Sequence, residues 1–288
     1  MSIVKELGEI TVPGIKDGYH ISVDNFGNLA VSDGYGHLAQ LDSTGYLIQM
    51  ISTSGVSEGY HTVTKDGNLL FVDKPNHTIN MADNTRQGAR LITSGKWLQY
   101  METGAWKPFS IYSSELNGDL LVGMSKFGEV RVTRYDNTGR QILQNIERDC
   151  NGENLFQLPH YLTENVNGDV CVSDYDKSAV IIVNRQGDLR FTYKGHRSSS
   201  EFHPYGICVD SDGHILVCDM ENDSVHCLDQ DGHFLSFVLT SEHGISGPSG
   251  LTIDNQSVLY LTQYNTNKVK MYKFNLDVQV QFRCTGSM

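Results

Sequence analysis

The sequence lacks long apolar runs and a secretory leader. None of its apolar stretches, over 288 residues, approaches the roughly 20 residues that a membrane-spanning helix requires. No segment near the N-terminus joins a basic start to an apolar core, so no signal peptide is recognised. We therefore expect a soluble chain of the cytoplasm, or an excised domain of one, without a membrane partner.

Motifs of catalysis and metal binding are also missing. The six cysteines show no C-x-x-C spacing of a zinc site. There is no H-E-x-x-H motif and no G-x-S-x-G turn around a nucleophile. Cys171, Cys208, Cys218 and Cys227 lie inside predicted strands, where a reduced thiol acts as a small apolar side chain. The sequence therefore predicts a non-catalytic chain that needs no cofactor.

Positive charge is absent from one stretch of the chain. Between Glu201 and Asn267 there is no Lys or Arg, whereas ten carboxylates fall there, so this stretch carries most of the formal net charge of −12. Basic residues outnumber acidic ones in 86–148 and 177–197. A polyanion would therefore approach the middle of the chain and be repelled by its last third.

A short turn recurs six times at regular intervals. Each turn lies between two short segments that are apolar or alternate between apolar and polar, which predicts a pair of strands. A period of about 40 to 50 residues is that of a propeller blade. The turns are centred on Gly27, Gly67, Gly118, Gly168, Gly213 and, in a weaker form, Asn255.

Each unit continues into a third predicted strand, and five units then have a glycine turn and a fourth strand. The sixth unit lacks that turn, which leaves one blade with an open outer edge. We predict that the N-terminal segment 5–12 fills this position and closes the ring, with the alternating segment 278–282 as the rival donor. With only 6 prolines and no Pro/Ser-rich linker, one domain is expected. The prediction is an all-β, six-bladed β-propeller of four-stranded antiparallel blades over 1–276, followed by a disordered or artificial tail at 277–288.

The fourth and fifth units carry the residues of a known repeat. Unit five reads Pro-Tyr-Gly-Ile-Cys-Val-Asp at 204–210, then Asp-Gly-His-Ile-Leu-Val-Cys-Asp at 212–219. Unit four has a similar series over 159–174. These segments resemble NHL repeats, and the resemblance extends over nearly the whole chain. Unit three departs from it at Gly123-Met124 and unit six at Thr262-Gln263, so their loops are expected to differ.

Within that family the chain is most similar to the C-terminal propeller of tripartite-motif (TRIM-NHL) ubiquitin ligases. Those proteins carry RING, B-box and coiled-coil modules upstream, none of which falls within these 288 residues. The resemblance implies a substrate-recognition domain that binds a protein or peptide. RNA binding for post-transcriptional regulation is the alternative that it implies. A second alternative is a metal-dependent enzyme, since some NHL propellers are lyases and calcium-dependent lactonases share the six-bladed shape.

Aromatic residues beside cations are predicted to share one face of the propeller. The starts of the inner strands and the loops between second and third strands lie on that face. Tyr, Trp and Arg concentrate binding energy at protein interfaces, and aromatic rings beside lysines also suit RNA. Packing between blades is the alternative interpretation of each ring. The predicted partner-binding residues are Tyr35, Trp106, Lys107, Phe109, Lys126, His160, Tyr175, Lys177, Tyr205 and Tyr264.

An Asp residue follows the second predicted strand in four units. Four carboxylates at equivalent positions suggest a metal ring, but equivalent positions on different blades are spread around the disc. Asp is also favoured where a loop needs a side chain to accept backbone N–H groups. We therefore expect structural capping by Asp33, Asp73, Asp174 and Asp219.

Histidines gather at the predicted starts of the inner strands. They occur as Tyr19-His20, Tyr60-His61, His160-Tyr161 and His203-Pro204-Tyr205. Imidazole is a common zinc ligand, so a ring of these histidines would provide a metal site for the enzyme alternative. No paired carboxylates stand beside them, which weakens that interpretation.

Overall fold

The computed structural model describes residues 3–53, 60–83, 96–196 and 201–275. In these ranges 24 strands form six four-stranded antiparallel sheets, and the only helix is a 3₁₀ turn at Ser241–His243. None of the described residues belongs to a helix long and apolar enough to cross a membrane. The predicted six-bladed, all-β propeller is therefore confirmed.

Every blade except the sixth uses four strands in chain order, from the central axis outward. The sixth takes its outer strand from the N-terminus. From inner to outer strand, blade 1 consists of β2 (His20–Val23), β3 (Leu29–Ser32), β4 (His37–Leu41) and β5 (Leu47–Ser52), and blade 2 of β6 (His61–Val63), β7 (Leu69–Asp73), β8 (Thr78–Ala82) and β9 (Trp97–Glu102). Blade 3 consists of β10 (Lys107–Ser113), β11 (Leu120–Lys126), β12 (Glu129–Tyr135) and β13 (Ile142–Ile146), and blade 4 of β14 (Pro159–Glu164), β15 (Val170–Asp174), β16 (Ala179–Val183) and β17 (Leu189–Tyr193). Blade 5 consists of β18 (Pro204–Val209), β19 (Ile215–Asp219), β20 (Ser224–Leu228) and β21 (Phe234–Leu239), and blade 6 of β22 (Pro248–Ile253), β23 (Val258–Gln263), β24 (Lys268–Asn275) and β1 (Ile3–Thr11).

The middle strands of the blades are covered on both faces by neighbouring blades. All five residues of β15, β16, β19 and β20 are buried. A strand buried on both faces can read as a continuous apolar run instead of an alternating one, as β16 (Ala-Val-Ile-Ile-Val) and the first four residues of β19 (Ile-Leu-Val-Cys) do. The four cysteines predicted to lie in strands are buried there as free thiols. The hydrophobic core is thus a ring of layers between blades.

The recurring glycines form the turns between first and second strands, as predicted. Gly27 has φ +80° and Gly213 has φ +86°, a left-handed conformation that costs glycine little. In each of these turns the glycine N–H donates to the carbonyl of Asp24 or Asp210, respectively, three residues earlier. The sixth turn uses Ser257 at φ +58° instead of glycine.

The N-terminal strand closes the ring. β1 pairs antiparallel with β24 from Ile3 opposite Asn275 to Thr11 opposite Lys268, with a bulge at Gly8. Segment 5–12 was the predicted donor, and the observed strand covers almost the same residues. The rival segment 278–282 and the rest of the predicted tail lie outside the described residues.

The two faces of the propeller differ in which loops they carry. The top face, as we name it, carries the starts of the inner strands and the loops between second and third strands. The bottom face carries the ends of the inner strands and the glycine turns. Trp97 begins β9, and Trp106 lies in the short connection from β9 to β10.

The inner strands of blades 5 and 6 approach each other at a glycine. A Cβ atom added at Gly206 would lie 2.6 Å from the backbone nitrogen of Leu251 and 2.8 Å from the Cα atom of Gly250. Backbone atoms of a paired strand cannot move aside without shifting the blade. Glycine at this position therefore sets the distance between the two blades.

We predict that Gly206→Ala lowers the free energy of unfolding by about 2 to 3 kcal/mol through overpacking. Urea unfolding measures this change. The matched control is Gly34→Ala, because a Cβ atom there meets nothing within 4 Å and its backbone is not left-handed. The control is expected to stay within about 0.5 kcal/mol of the native chain. Equal effects of both substitutions would contradict the blade-spacing role.

Candidate functional site

A cluster of tyrosine and histidine rings fills the top end of the central channel. The central cluster, as we define it, comprises Tyr19, His20, Tyr60, His61, His160, Tyr161, Tyr175 and Tyr205. Most of these residues begin inner strands, and the radial arrangement brings those starts together at the axis. Ring centroids lie 5.3 Å apart for Tyr60 and His160, and 5.5 Å apart for His160 and Tyr205. Most contacts are tilted or edge-to-face, which aromatic rings prefer.

Hydrogen bonds between blades hold the central cluster in place. The Tyr161 hydroxyl donates to the carbonyl of Tyr19 at 2.8 Å, across 142 residues of sequence. The Tyr60 hydroxyl lies 2.5 Å from Nε2 of His160. Nδ1 of His20 lies 3.2 Å from Nδ1 of His61. These bonds link blades 1, 2 and 4 through the axis, so the cluster is a rigid plug.

Burial keeps His20 and His160 of the plug uncharged. Desolvation lowers the pKa of His160 to about 3, and the Lys74 ammonium adds to this effect. Desolvation, with His61 and His160 nearby, also holds the pKa of His20 well below its ordinary value. The pKa of Tyr60 is raised by burial, so its phenol remains protonated at neutral pH. The plug is therefore a neutral, apolar surface with polar tips.

The four histidines considered as a zinc ring do not all converge. His20, His61 and His160 belong to the central cluster, whereas His203 makes a tilted contact with the ring of Tyr175 and its Nδ1 contacts the carbonyl of Glu201. Three potential ligands of a metal do come together among the described residues, but at the bottom face. They are Asp210, Asp212 and His214, where Asp210 accepts the backbone N–H groups of the other two residues, as in an ordinary turn.

The recurring Asp residues cap loops, as expected. The carboxylate of Asp33 accepts the backbone N–H groups of Tyr35 and His37, each at 2.9 Å. The carboxylate of Asp174 accepts three backbone N–H groups, including that of Leu158. These bonds shape the loops of the top face.

Four of the predicted partner-binding residues lie at or near the centre of the top face. His160, Tyr175 and Tyr205 belong to the central cluster, and all three are half-buried. Tyr264 lies on the corresponding loop of blade 6 and is 43% exposed. These four rings are therefore partly exposed at the top face.

The other predicted residues lie around this centre. On blade 3, Lys126 Nζ lies 6.0 Å from the ring centre of Trp106, and Lys107 is exposed in the next strand. Phe109 faces Lys74, whose Nζ lies 5.8 Å from its ring centre. On blade 1, Lys16 Nζ lies 4.7 Å above the ring of Tyr35, which is separate from the central cluster.

Lys177 has a structural contact that the sequence did not reveal. Its ammonium group donates to the carbonyls of Asn154 at 2.6 Å and Leu155 at 2.7 Å. It therefore ties the connection before β14 to the loop of blade 4.

Sequence reasoning missed several residues that build this face. In the sequence, Tyr19, Tyr60 and Tyr161 were considered only as neighbours of candidate metal-binding histidines. In the structure, tyrosines form most of the plug. Arg131 was not singled out, although its guanidinium carbon lies 3.8 Å from the ring centre of Trp106. A repeated aromatic residue at the start of the inner strands was the available signal, whereas nothing local marked Arg131.

The central channel opens at the bottom face instead. A cavity of about 350 Å³ is lined by the ends of the inner strands and by the turns after them. Its carboxylates are those of Asp24, Glu115, Glu164, Asp210 and Asp254, and no Lys or Arg lines it within the described ranges. The two ends of the channel thus differ: the top is sealed by rings, and the bottom is open and acidic.

Comparison with known proteins identifies one repeat and the fold. The sequence profile of the NHL repeat matches residues 203–228, which include β18, β19 and β20. This match confirms the NHL resemblance of unit five. No curated protein matches the sequence.

Solved structures of several different proteins superpose on most of the chain. A putative gluconolactonase has a TM-score of 0.67 at 18% identity, covering 95% of this chain and 92% of its own. A catalytically inactive virginiamycin B lyase from Staphylococcus aureus, solved with quinupristin, has a TM-score of 0.63 at 13% identity, covering 95% and 99%. The WD40 propeller domain of Doa1 has a TM-score of 0.61 at 13% identity, covering 93% and 96%. Identities this low show a shared propeller fold alone.

The neutral His160 generates a prediction for acid stability. Its pKa is near 6.5 when unfolded and about 3 when folded, so the unfolded chain binds the proton more tightly as pH falls below 6.5. Lowering the pH from 7 to 5 therefore destabilises the native fold by up to about 2 kcal/mol through this residue. His160→Gln removes that loss, so the stability gap between the native chain and the variant narrows at pH 5. Urea unfolding at both pH values measures the gap, and a constant gap would contradict a neutral His160 in the folded chain.

Proposed function

We propose that the chain is a recognition module that binds a protein or peptide partner over its top face, as the substrate-binding propeller of a TRIM-NHL-like ubiquitin ligase. One observation carries the proposal. The top of the central channel is sealed by a rigid plug of aromatic rings, and the half-exposed rings of Tyr175, Tyr205 and Tyr264 lie at its surface. A sealed aromatic surface favours a partner that lies across the propeller.

The plug suits binding because its rings are already ordered. Tyr205 is in contact with Tyr19, His160, Tyr161 and Tyr175, with ring centroids 5.5 to 6.3 Å apart. Side chains fixed before binding lose little conformational entropy when the partner arrives. Tyrosine also offers both an apolar ring and a hydroxyl, which is why it is enriched at protein interfaces.

RNA is the second candidate partner, because lysines lie over aromatic rings at several places on the top face. Three separate pairs on the top face combine a lysine with an aromatic ring: Lys16 with Tyr35, Lys74 with Phe109, and Lys126 with Trp106. Such pairs combine phosphate attraction with base stacking. A protein partner is favoured because a long RNA would also cross blades 5 and 6, where 201–267 contains no Lys or Arg.

The face assignment is tested by site-specific photo-crosslinking in cell extract treated with ribonuclease. A photoreactive phenylalanine analogue placed at Tyr264 is expected to crosslink to defined proteins. The same analogue at Phe26 is the control, because Phe26 is 79% exposed but lies in a turn of the bottom face. Mass spectrometry of the adducts gives the readout. Crosslinks that form only at Phe26, or equally at both positions, would contradict binding over the top face.

A further inference from the structure

Blade 3 carries a hairpin that is longer than those of neighbouring blades. β11 and β12 have seven residues each, whereas β15 and β16 of blade 4 have five each. Blade 3 has Met124 where Asp174 of blade 4 caps a loop. Without that capping carboxylate the ladder continues to the pair Lys126 and Glu129. The paired part of this hairpin is therefore longer than that of blade 4 and ends in a two-residue turn.

The tip of this hairpin exposes an aromatic ring in an unfavourable backbone conformation. Phe127 is 98% exposed and has φ +49°, and Gly128 follows at φ +88°. Two-residue turns with positive φ at both positions favour Asn-Gly, Asp-Gly or Gly-Gly. The equivalent loops of blades 4, 5 and 6 have Ser178, Asp223 and Asn265 in the left-handed region. Phe127 therefore adopts an unfavourable backbone conformation, and no buried packing contact of its ring offsets that cost. This combination points to a role in binding instead of in folding.

One cation lies near this ring, and two lie near Trp106. Lys126 Nζ lies 5.9 Å from the ring centre of Phe127 and 6.0 Å from that of Trp106. The guanidinium of Arg131 stacks on Trp106, and its buried Nε atom has no hydrogen-bond partner among the described residues. Lys107 is exposed in the adjacent strand β10. We call Trp106, Lys107, Lys126, Phe127 and Arg131 the blade 3 patch.

The blade 3 patch has positive charge that the described part of the chain leaves uncompensated. None of Lys107, Lys126 and Arg131 forms an ion pair with a described carboxylate. Glu129 is the ladder partner of Lys126, but the two side chains form no ion pair. A cation stacked on an indole ring keeps its outer edge available for hydrogen bonds to an anion.

We infer that the blade 3 patch binds an acidic segment of the partner protein, in which Asp or Glu side chains flank an aromatic residue. This inference rests on the proposed function and names the chemistry of its partner. Carboxylates would contact Lys126 and Arg131, with Arg131 able to hold one through two parallel hydrogen bonds. The aromatic residue of the partner would stack on Phe127. A short acidic segment meets only this basic corner and avoids the acidic blades 5 and 6.

Phe127→Asn is the decisive substitution, because it separates binding from folding. Asn is favoured in the left-handed conformation of this turn, so the variant is expected to keep or raise the melting temperature. It nevertheless removes the exposed ring and should weaken binding by about tenfold or more. The matched control is Phe26→Asn, which removes an exposed ring from a turn of the bottom face. Arg131→Gln tests the anion contact in the same way.

The measurement is fluorescence anisotropy of a labelled synthetic peptide in which Asp and Glu flank a central Phe, titrated with the whole chain at low salt. The native chain and Phe26→Asn are expected to bind alike, while Phe127→Asn and Arg131→Gln bind weakly. A peptide with Asn and Gln in place of the acids is expected not to bind, and affinity should fall as salt is raised.

Three outcomes would overturn the inference. They are a Kd for the acidic peptide weaker than about 1 mM, unchanged binding by Phe127→Asn, and tighter binding of a short oligouridine than of the peptide. Crosslinking at Tyr264 distinguishes failure of the blade 3 inference from failure of the proposed function. If it succeeds while Phe127→Asn has no effect, only the blade 3 inference fails. If crosslinking fails on the top face as well, the proposed function fails with it.

Discussion

The antiparallel ladder between β1 and β24 is the constraint on which the rest of the structure depends. It gives blade 6 its outer strand and joins the first and last described strands in one sheet. Because the ring is closed, every inner strand has a neighbour on each side, and the starts of the strands meet at the axis. The contact of Tyr161 with the carbonyl of Tyr19, across blades that are far apart in sequence, exists only in a closed ring.

The central cluster shows how a single set of rings serves both folding and recognition. Their inner faces fill the top of the channel, where an empty space would lose dispersion contacts, and their hydrogen bonds tie blades 1, 2 and 4 together. Their outer edges form the middle of the top face. The packing that fixes the plug therefore also orders the surface that we propose meets the partner. The blade 3 patch adds charge at the edge of this surface and supplies what the neutral plug lacks.

The fold was predictable because its signals are local and repeated. Glycines such as Gly27 and Gly213 mark turns that need positive φ, and the missing outer strand of blade 6 indicated that the N-terminus closes the ring. The site was less predictable. Tyr60 and His160 are 100 residues apart, and their contact depends on the radius of the ring, which no local pattern gives. From the sequence alone, Lys177 resembled a free surface cation. Only the structure shows that its ammonium group donates to two backbone carbonyls. Phe127 is informative only once its exposure and left-handed backbone are known together.

The register of β1 against β24 also determines where the first and last described residues lie on the disc. Ile3 lies opposite Asn275, and β24 runs from the top face toward the bottom face. The start of β1 and the end of β24 therefore lie at the bottom face, in the outer half of blade 6 and on the side away from the plug. The first and last described residues thus leave the aromatic face unobstructed.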